Sequence, residues 1–308
     1  MTITVLAGGT GSIKLVRGLA AIEKEIAVIC NVGDNIWIHG LYVCPDIDTI
    51  IYGLANILDK KRGWGIKGDS FQCLAQLKKI GDPAWFGLGD RDLAIHLLRT
   101  SMMKKGKSLS EITDFFRARY SLCAQIIPAT DKEVMTSIVT STRGEMHLQE
   151  FWVKHKGRPK VTGVKYVNAS TAKANTAALD AIERCRAIVI APANPVSSIG
   201  PIIALADLRK VLTQNRDKVI AISPLIGRKA VSGPAVKYLR ALGLEASSFG
   251  VAKYYADFVS KFIISKEDHR MKLQIEALDV QVYEAEITMK TKSDEVSLSR
   301  RLLSLVEK

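Results

Sequence analysis

The chain has 308 residues, 47% of them hydrophobic and 24% charged, with a formal net charge of +13. That length and apolar content are enough for one large α/β domain and exclude global disorder. No window approaches the roughly 18 apolar residues of a membrane span, and the Lys and Arg residues are spread along the chain, so the charge reads as a basic surface or a field for an anionic small substrate, with no nucleic-acid module and no membrane partner.

The N-terminus enters a strand directly over 2–7, without the basic and apolar regions of a signal peptide. Gly8-Gly9-Thr10-Gly11 ends that strand, and a helical pattern follows through Ile13, Leu15, Val16 and Leu19. A second apolar run, 26–30, completes a β-α-β opening; continuous apolar runs are the mark of buried parallel strands. Helices are predicted over 47–58, 69–79, 92–104 and 109–119, the last opened by a Ser108/Glu111 capping box. Strands are predicted over 122–127, 134–140 and 146–153, the last two joined by a hairpin turn at Ser141-Thr142-Arg143-Gly144. A helix over 171–184, capped by Ser170, leads back into alternation: strand 186–191, helix 201–213, strand 218–223, helix 234–242, an edge strand over 281–287 and a closing helix over 295–307. The expected fold is a Rossmann-like, doubly wound, mainly parallel sheet in a single α/β domain, with a helical and hairpin insertion at about 60–160. The five scattered cysteines, never in a C-x-x-C pair, read as free thiols of a reducing compartment, the cytoplasm.

In such sheets ligands bind outside the carboxyl ends of the strands. Four loops fall there. Gly8 to Gly11, with Lys14 one turn into the helix, can bring backbone N–H groups to a phosphate, but it matches neither the Walker A nor the G-x-G-x-x-G spacing. Asn31 to Asn35 carries Asp34, which can accept a hydroxyl, help hold a metal, or simply belong to a turn. Pro45-Asp46-Ile47-Asp48-Thr49 opens a helix, and its acids can cap that helix or hold Mg²⁺, which takes one or two carboxylates with phosphate oxygens and water. Asn194 to Pro201 and Ser223 to Pro234 each follow a strand and precede a helix, offering Ser197, Ser198, Ser232 and Gly233 to an anion. Arg91, in Gly89-Asp90-Arg91-Asp92, can meet a phosphate or pair with a neighbouring acid. The histidines show no metal-ligand spacing, and Trp37 and Trp64 flank the loops where an aromatic ring could rest.

Taken together, Ala7-Gly8-Gly9-Thr10-Gly11-Ser12, Asn31-Val32-Gly33-Asp34, Pro45-Asp46-Ile47-Asp48-Thr49, Arg62-Gly63-Trp64-Gly65, Leu88-Gly89-Asp90-Arg91-Asp92, Gln149-Glu150-Phe151-Trp152, Asn194-Pro195-Val196-Ser197-Ser198, Ser223-Pro224-Leu225-Ile226-Gly227 and Ser232-Gly233-Pro234 resemble the 2-phospho-L-lactate transferase family of coenzyme F-420 biosynthesis. The resemblance runs from Thr4 to about Asp268. It implies an Mg²⁺-dependent transfer in which the terminal ribityl hydroxyl of the deazaflavin Fo attacks the phosphorus bonded to lactate in a guanylyl-activated 2-phospholactate, expelling GMP. It further implies Asp48 and Asp34 at the metal and reacting hydroxyl, and Arg91 on Fo or the phosphoryl charge. Gly9, Thr10, Gly11, Lys14, Asn194, Ser197, Ser198, Ser232 and Gly233 would then line the substrate, in a homodimer. Asn35 stands where some relatives carry a second acid. A sister family sharing several loops, a nucleotide-sugar-binding regulator, is the alternative. A nicotinamide dehydrogenase is disfavoured, because no acid ends the second strand.

Overall fold

The computed structural model describes residues 2–231 and 233–306. Its centre is one sheet of seven strands: β1 (Ile3–Ala7), β2 (Ile26–Cys30), β3 (Gln125–Pro128), β4 (Ala187–Ile190), β5 (Val219–Ile222), β6 (Lys261–Ser265) and β7 (Gln281–Ala285). In space they run β3-β2-β1-β4-β5-β6-β7, and every pairing is parallel. All residues of β1, β2, β4 and β5 are buried, the reason they read as unbroken apolar runs. The fold class expected from sequence is therefore the one observed.

The chain moves outward from β1 to β3, then crosses back to place β4 on the other side of β1. That reversal opens a crevice beyond the carboxyl ends of β1 and β4. Two helices frame it: α1 (Gly9–Ala20) leaves β1, and α2 (Pro45–Leu54) lies against α1. Beyond them come α3 (Gln72–Lys79), α4 (Asp90–Lys104) and α5 (Leu109–Arg119), the last with the expected capping box complete. A separate antiparallel sheet is made by residues Met135–Thr140, Gly144–His147 and Val161–Val167.

Several boundaries move for local reasons. The stretch 60–160 is not one insertion, because β3 runs through it and joins the main sheet. The helix expected over 47–58 stops at Leu54, and Leu58 instead bridges Ile66. The strand expected over 146–153 ends at His147, and Glu150–Lys154 forms a wide turn closed by His155 N–H donating to the Glu150 carbonyl at 3.0 Å. Asn175, not Ser170, caps the next helix, accepting from the Ala177 N–H at 2.9 Å. The helix expected over 201–213 is two, broken at extended Leu205. Strand β6 was absent from the sequence reading, although Phe262-Ile263-Ile264 is an apolar run of the right kind.

Candidate active site

The crevice holds a cavity of about 320 Å³. Its floor is the loop after β1 and the turn after β4. Gly11 is needed for their approach: a Cβ there would stand 2.5 Å from the Pro192 carbonyl oxygen. Gly9 has φ +66°, open to glycine at no steric cost. The Asn194 side-chain oxygen accepts from the Val196 and Ser197 N–H groups, at 3.0 and 3.2 Å, and so shapes the second loop. Of the residues singled out in the sequence, Gly9, Thr10, Gly11, Asp34, Asp48, Asn194, Ser197, Ser198 and Gly233 line the cavity. Ser232 lies outside the described residues.

Two carboxylates meet at one amide. The Asn31 side-chain nitrogen donates to Asp34 Oδ1 at 2.9 Å and to Asp46 Oδ2 at 2.8 Å, and lies 3.2 Å from the Ser197 carbonyl. Asn31 thus ties β2, the start of α2 and the turn after β4 together. Burial pushes the Asp46 carboxyl up to about 6, against the pull of hydrogen bonds from Asn31 and the Gly9 N–H. Burial, and then the charge of Asp46, hold Asp34 well above the usual carboxylate range. Sequence reasoning named Asp46 only as one of two acids opening a helix and passed over Asn31; its place three residues before Asp34 and its position at a strand end were the signals available.

Asp48 faces a different partner. Arg99 of α4, 1% exposed, makes a two-pronged ion pair with it, one contact being Nη1 to Oδ2 at 3.1 Å. Arg99 also donates to His96 Nδ1 at 3.0 Å and lies over Phe116. Asp92 accepts the Tyr52 hydroxyl at 2.5 Å and stands beside His96. Asp48, Asp92 and His96 all line the cavity. The sequence treated His96 as an ordinary core or surface histidine; the polar network that surrounds it is formed by residues from α2 and α4.

Among the described residues that line the cavity, three carry a buried polar atom without a hydrogen-bond partner: Asn194 Nδ2, His96 Nε2 and the Tyr238 hydroxyl. Orphaned buried donors cost free energy, so their concentration around one cavity marks it as built for a ligand. At the mouth, Trp64, Phe86 and Trp152 offer apolar surface. Trp64 is braced by Arg62, whose guanidinium lies 5.4 Å from the Trp64 ring and 4.8 Å from the Phe71 ring. Trp37 is elsewhere, against Tyr42.

Two of the residues singled out lie outside the cavity lining. The Lys14 ammonium donates to the Met289 carbonyl at 2.7 Å, which turns it toward the C-terminal segment. Arg91 is exposed at the start of α4: its guanidinium donates to the Gly68 carbonyl at 2.9 Å and its backbone N–H to Asp69. Among the described residues no group of three or more His, Cys, Asp or Glu side chains could hold a metal ion by itself. Nor, among them, is any helix long and apolar enough to cross a membrane.

A parallel sheet with a polar, glycine-floored cavity at its reversal point defines an α/β protein of the class that binds phosphorylated ligands at strand ends. Comparison with known proteins narrows this. The chain belongs to the family described as 2-phospho-L-lactate transferase CofD, whose model matches residues 3–305. It is 39% identical to the 2-phospho-L-lactate transferase of Methanosarcina mazei, over 92% of this chain and 94% of that one. It is 38% identical to that of Methanopyrus kandleri, over 100% and 98%, and 37% identical to that of Methanocaldococcus jannaschii, over 98% and 97%. Among solved structures, a Bacillus halodurans member of the UPF0052 family shares the fold, with a TM-score of 0.67 at 15% identity over 98% of each chain.

Proposed function

We propose that this chain is the transferase for which its family is named, moving the phospholactyl group of a guanylyl-activated 2-phospholactate to the deazaflavin Fo with release of GMP. Full-length similarity to curated transferases supports that reading over the nucleotide-binding regulator. The observation that carries the chemistry is the Asp34–Asp46 pair on Asn31, at the floor of a cavity ringed by unpartnered donors.

Two buried carboxylates, both raised by burial and Asp34 also by the charge of Asp46, fit Mg²⁺, which takes one or two carboxylates and completes its shell with phosphate oxygens and water. Bound there, Mg²⁺ would neutralise charge on the transferring phosphoryl group. The protein's own residues do the rest by positioning. Asn194, with its free amide N–H groups, and the Ser197 and Ser198 hydroxyls face the diphosphate. Trp64, Phe86 and Trp152 pack the flat ring of Fo at the mouth, with Arg91 on the rim. Asp48, fixed by Arg99, receives the hydroxylated chain of Fo. As the terminal oxygen of that chain bonds to phosphorus and the bond to GMP breaks, the hydroxyl proton passes to a carboxylate of the Asp34–Asp46 pair. The same reading places the enzyme in the cytoplasm as a homodimer.

The test is turnover with Mg²⁺, Fo and guanylyl-activated 2-phospholactate, following GMP release and the mass of the deazaflavin. A phosphodiester on Fo is the expected product. Nucleotide binding without product would favour the regulator.

A further inference from the structure

We propose that His96 reads the hydroxylated chain of the acceptor, by donating from Nε2 to a hydroxyl oxygen while Asp92 accepts from a neighbouring hydroxyl. The inference rests on the transferase reading above and adds a residue to it.

The tautomer follows from bonding. Arg99 carries only donors, and its Nη1 lies 3.0 Å from His96 Nδ1. Nδ1 must therefore accept, which places the proton of the neutral ring on Nε2. That nitrogen is buried, lines the cavity and has no hydrogen-bond partner. Asp92 Oδ1 is 3.3 Å away but off the line of a hydrogen bond, and it already accepts from Tyr52. A side chain 1% exposed, oriented by an arginine that is itself held by Asp48, thus keeps a buried donor beside the cavity whose one near acceptor, Asp92, is poorly aligned, and a ligand oxygen would satisfy it.

The surroundings select the kind of ligand. The groups facing this corner are Asp48 and Tyr52 from α2, and Asp92 and Arg99 from α4. Arg99 bonds to Asp48, and among the described residues no lysine or arginine makes a direct ion pair with Asp92. An anionic phosphate would meet this carboxylate; a sugar-alcohol chain would not. Each hydroxyl both accepts and donates, so adjacent hydroxyls can take the His96 proton donor and supply the Asp92 acceptor together.

The experiment measures binding by fluorescence of the deazaflavin, using Fo and an analogue whose ribityl chain is replaced by methyl, with His96→Phe and His96→Gln. Arg99 keeps Asp48 and the Tyr42 carbonyl as partners in both variants, so folding should survive, and melting temperature checks this. We expect the Kd of Fo to rise about tenfold in His96→Phe and less in His96→Gln, whose amide can still donate, with the affinity for the methyl analogue and for GDP unchanged. Equal weakening of Fo and the methyl analogue would place His96 on the ring and overturn the proposal. So would an unchanged Kd for Fo in His96→Phe. If the wild-type protein itself failed to bind Fo while binding GDP, the transferase reading would fall first and take this one with it.

Discussion

Two acids separated by a single residue in sequence, Asp46 and Asp48, have different work. Asp46 shares Asn31 with Asp34, whereas Asp48 is the anchor of a buried arginine. Asp46→Asn should lower turnover on the order of 100-fold while leaving the melting temperature unchanged or higher, because it removes a buried charge that the apoprotein only partly satisfies. Asp48→Asn should lose activity and stability together, by about 3 kcal/mol, because Arg99 keeps its charge and loses half its partner. Side-by-side kcat and thermal melts of the two variants check this; the same profile in both would dissolve the distinction. A short sequence cannot separate the two residues, since both acids open the same helix within its first turn.

At the scale of elements, the glycine loop depends on a helix from the far end of the chain. The C-terminal helix Lys292–Val306 lies on α1, where Arg17 pairs with Glu295, 5% exposed, and Lys14 holds the Met289 carbonyl. Glu295→Ala strands Arg17 and should cost about 3 kcal/mol. The double variant Arg17→Met/Glu295→Leu should recover most of that loss, since an apolar pair of similar volume needs no compensating charge. Denaturant titration of the three proteins decides: no recovery in the double variant would mean that the contact matters through geometry that only the ion pair supplies. Beyond Asp268 the sequence reading found structure but no role, and this packing is the role that the fold provides: it seats the helix whose first residues floor the cavity.

For the molecule as a whole, the raised carboxyl of Asp46 has a signed consequence for stability. An ordinary aspartate titrates near ~3.9, and here the folded protein holds its proton up to about 6. Between those values the folded state binds a proton that the unfolded state has released. The contribution is complete below about pH 4 and is lost as pH rises through about 6, amounting to roughly 3 kcal/mol. Metal-free protein should therefore gain stability relative to Asp46→Asn when acidified from pH 7.5 to 5, as read by melting temperature. At pH 7.5, Mg²⁺ at 100 times its Kd should add about 2.7 kcal/mol to the wild type and far less to Asp46→Asn. A metal effect of equal size in both would move the cation away from this pair.

The sequence by itself determined the class of the sheet and most of its strands, β6 excepted. Apolar runs such as Ile26-Ala27-Val28-Ile29-Cys30 can be satisfied only between covering layers, and the glycine and Asn-Pro loops after them had to fall at strand ends. It also carried the family, because that rests on many motifs in order along the chain. Only the tertiary structure decided which side chains meet. Asn31 reaches the Ser197 carbonyl across 166 residues of chain, Lys14 is claimed by Met289 across 275, and Arg99 finds Asp48 across 51. No local periodicity encodes such pairs. Side-chain direction is set by the element packed opposite, and in a doubly wound sheet that element comes from a distant part of the chain.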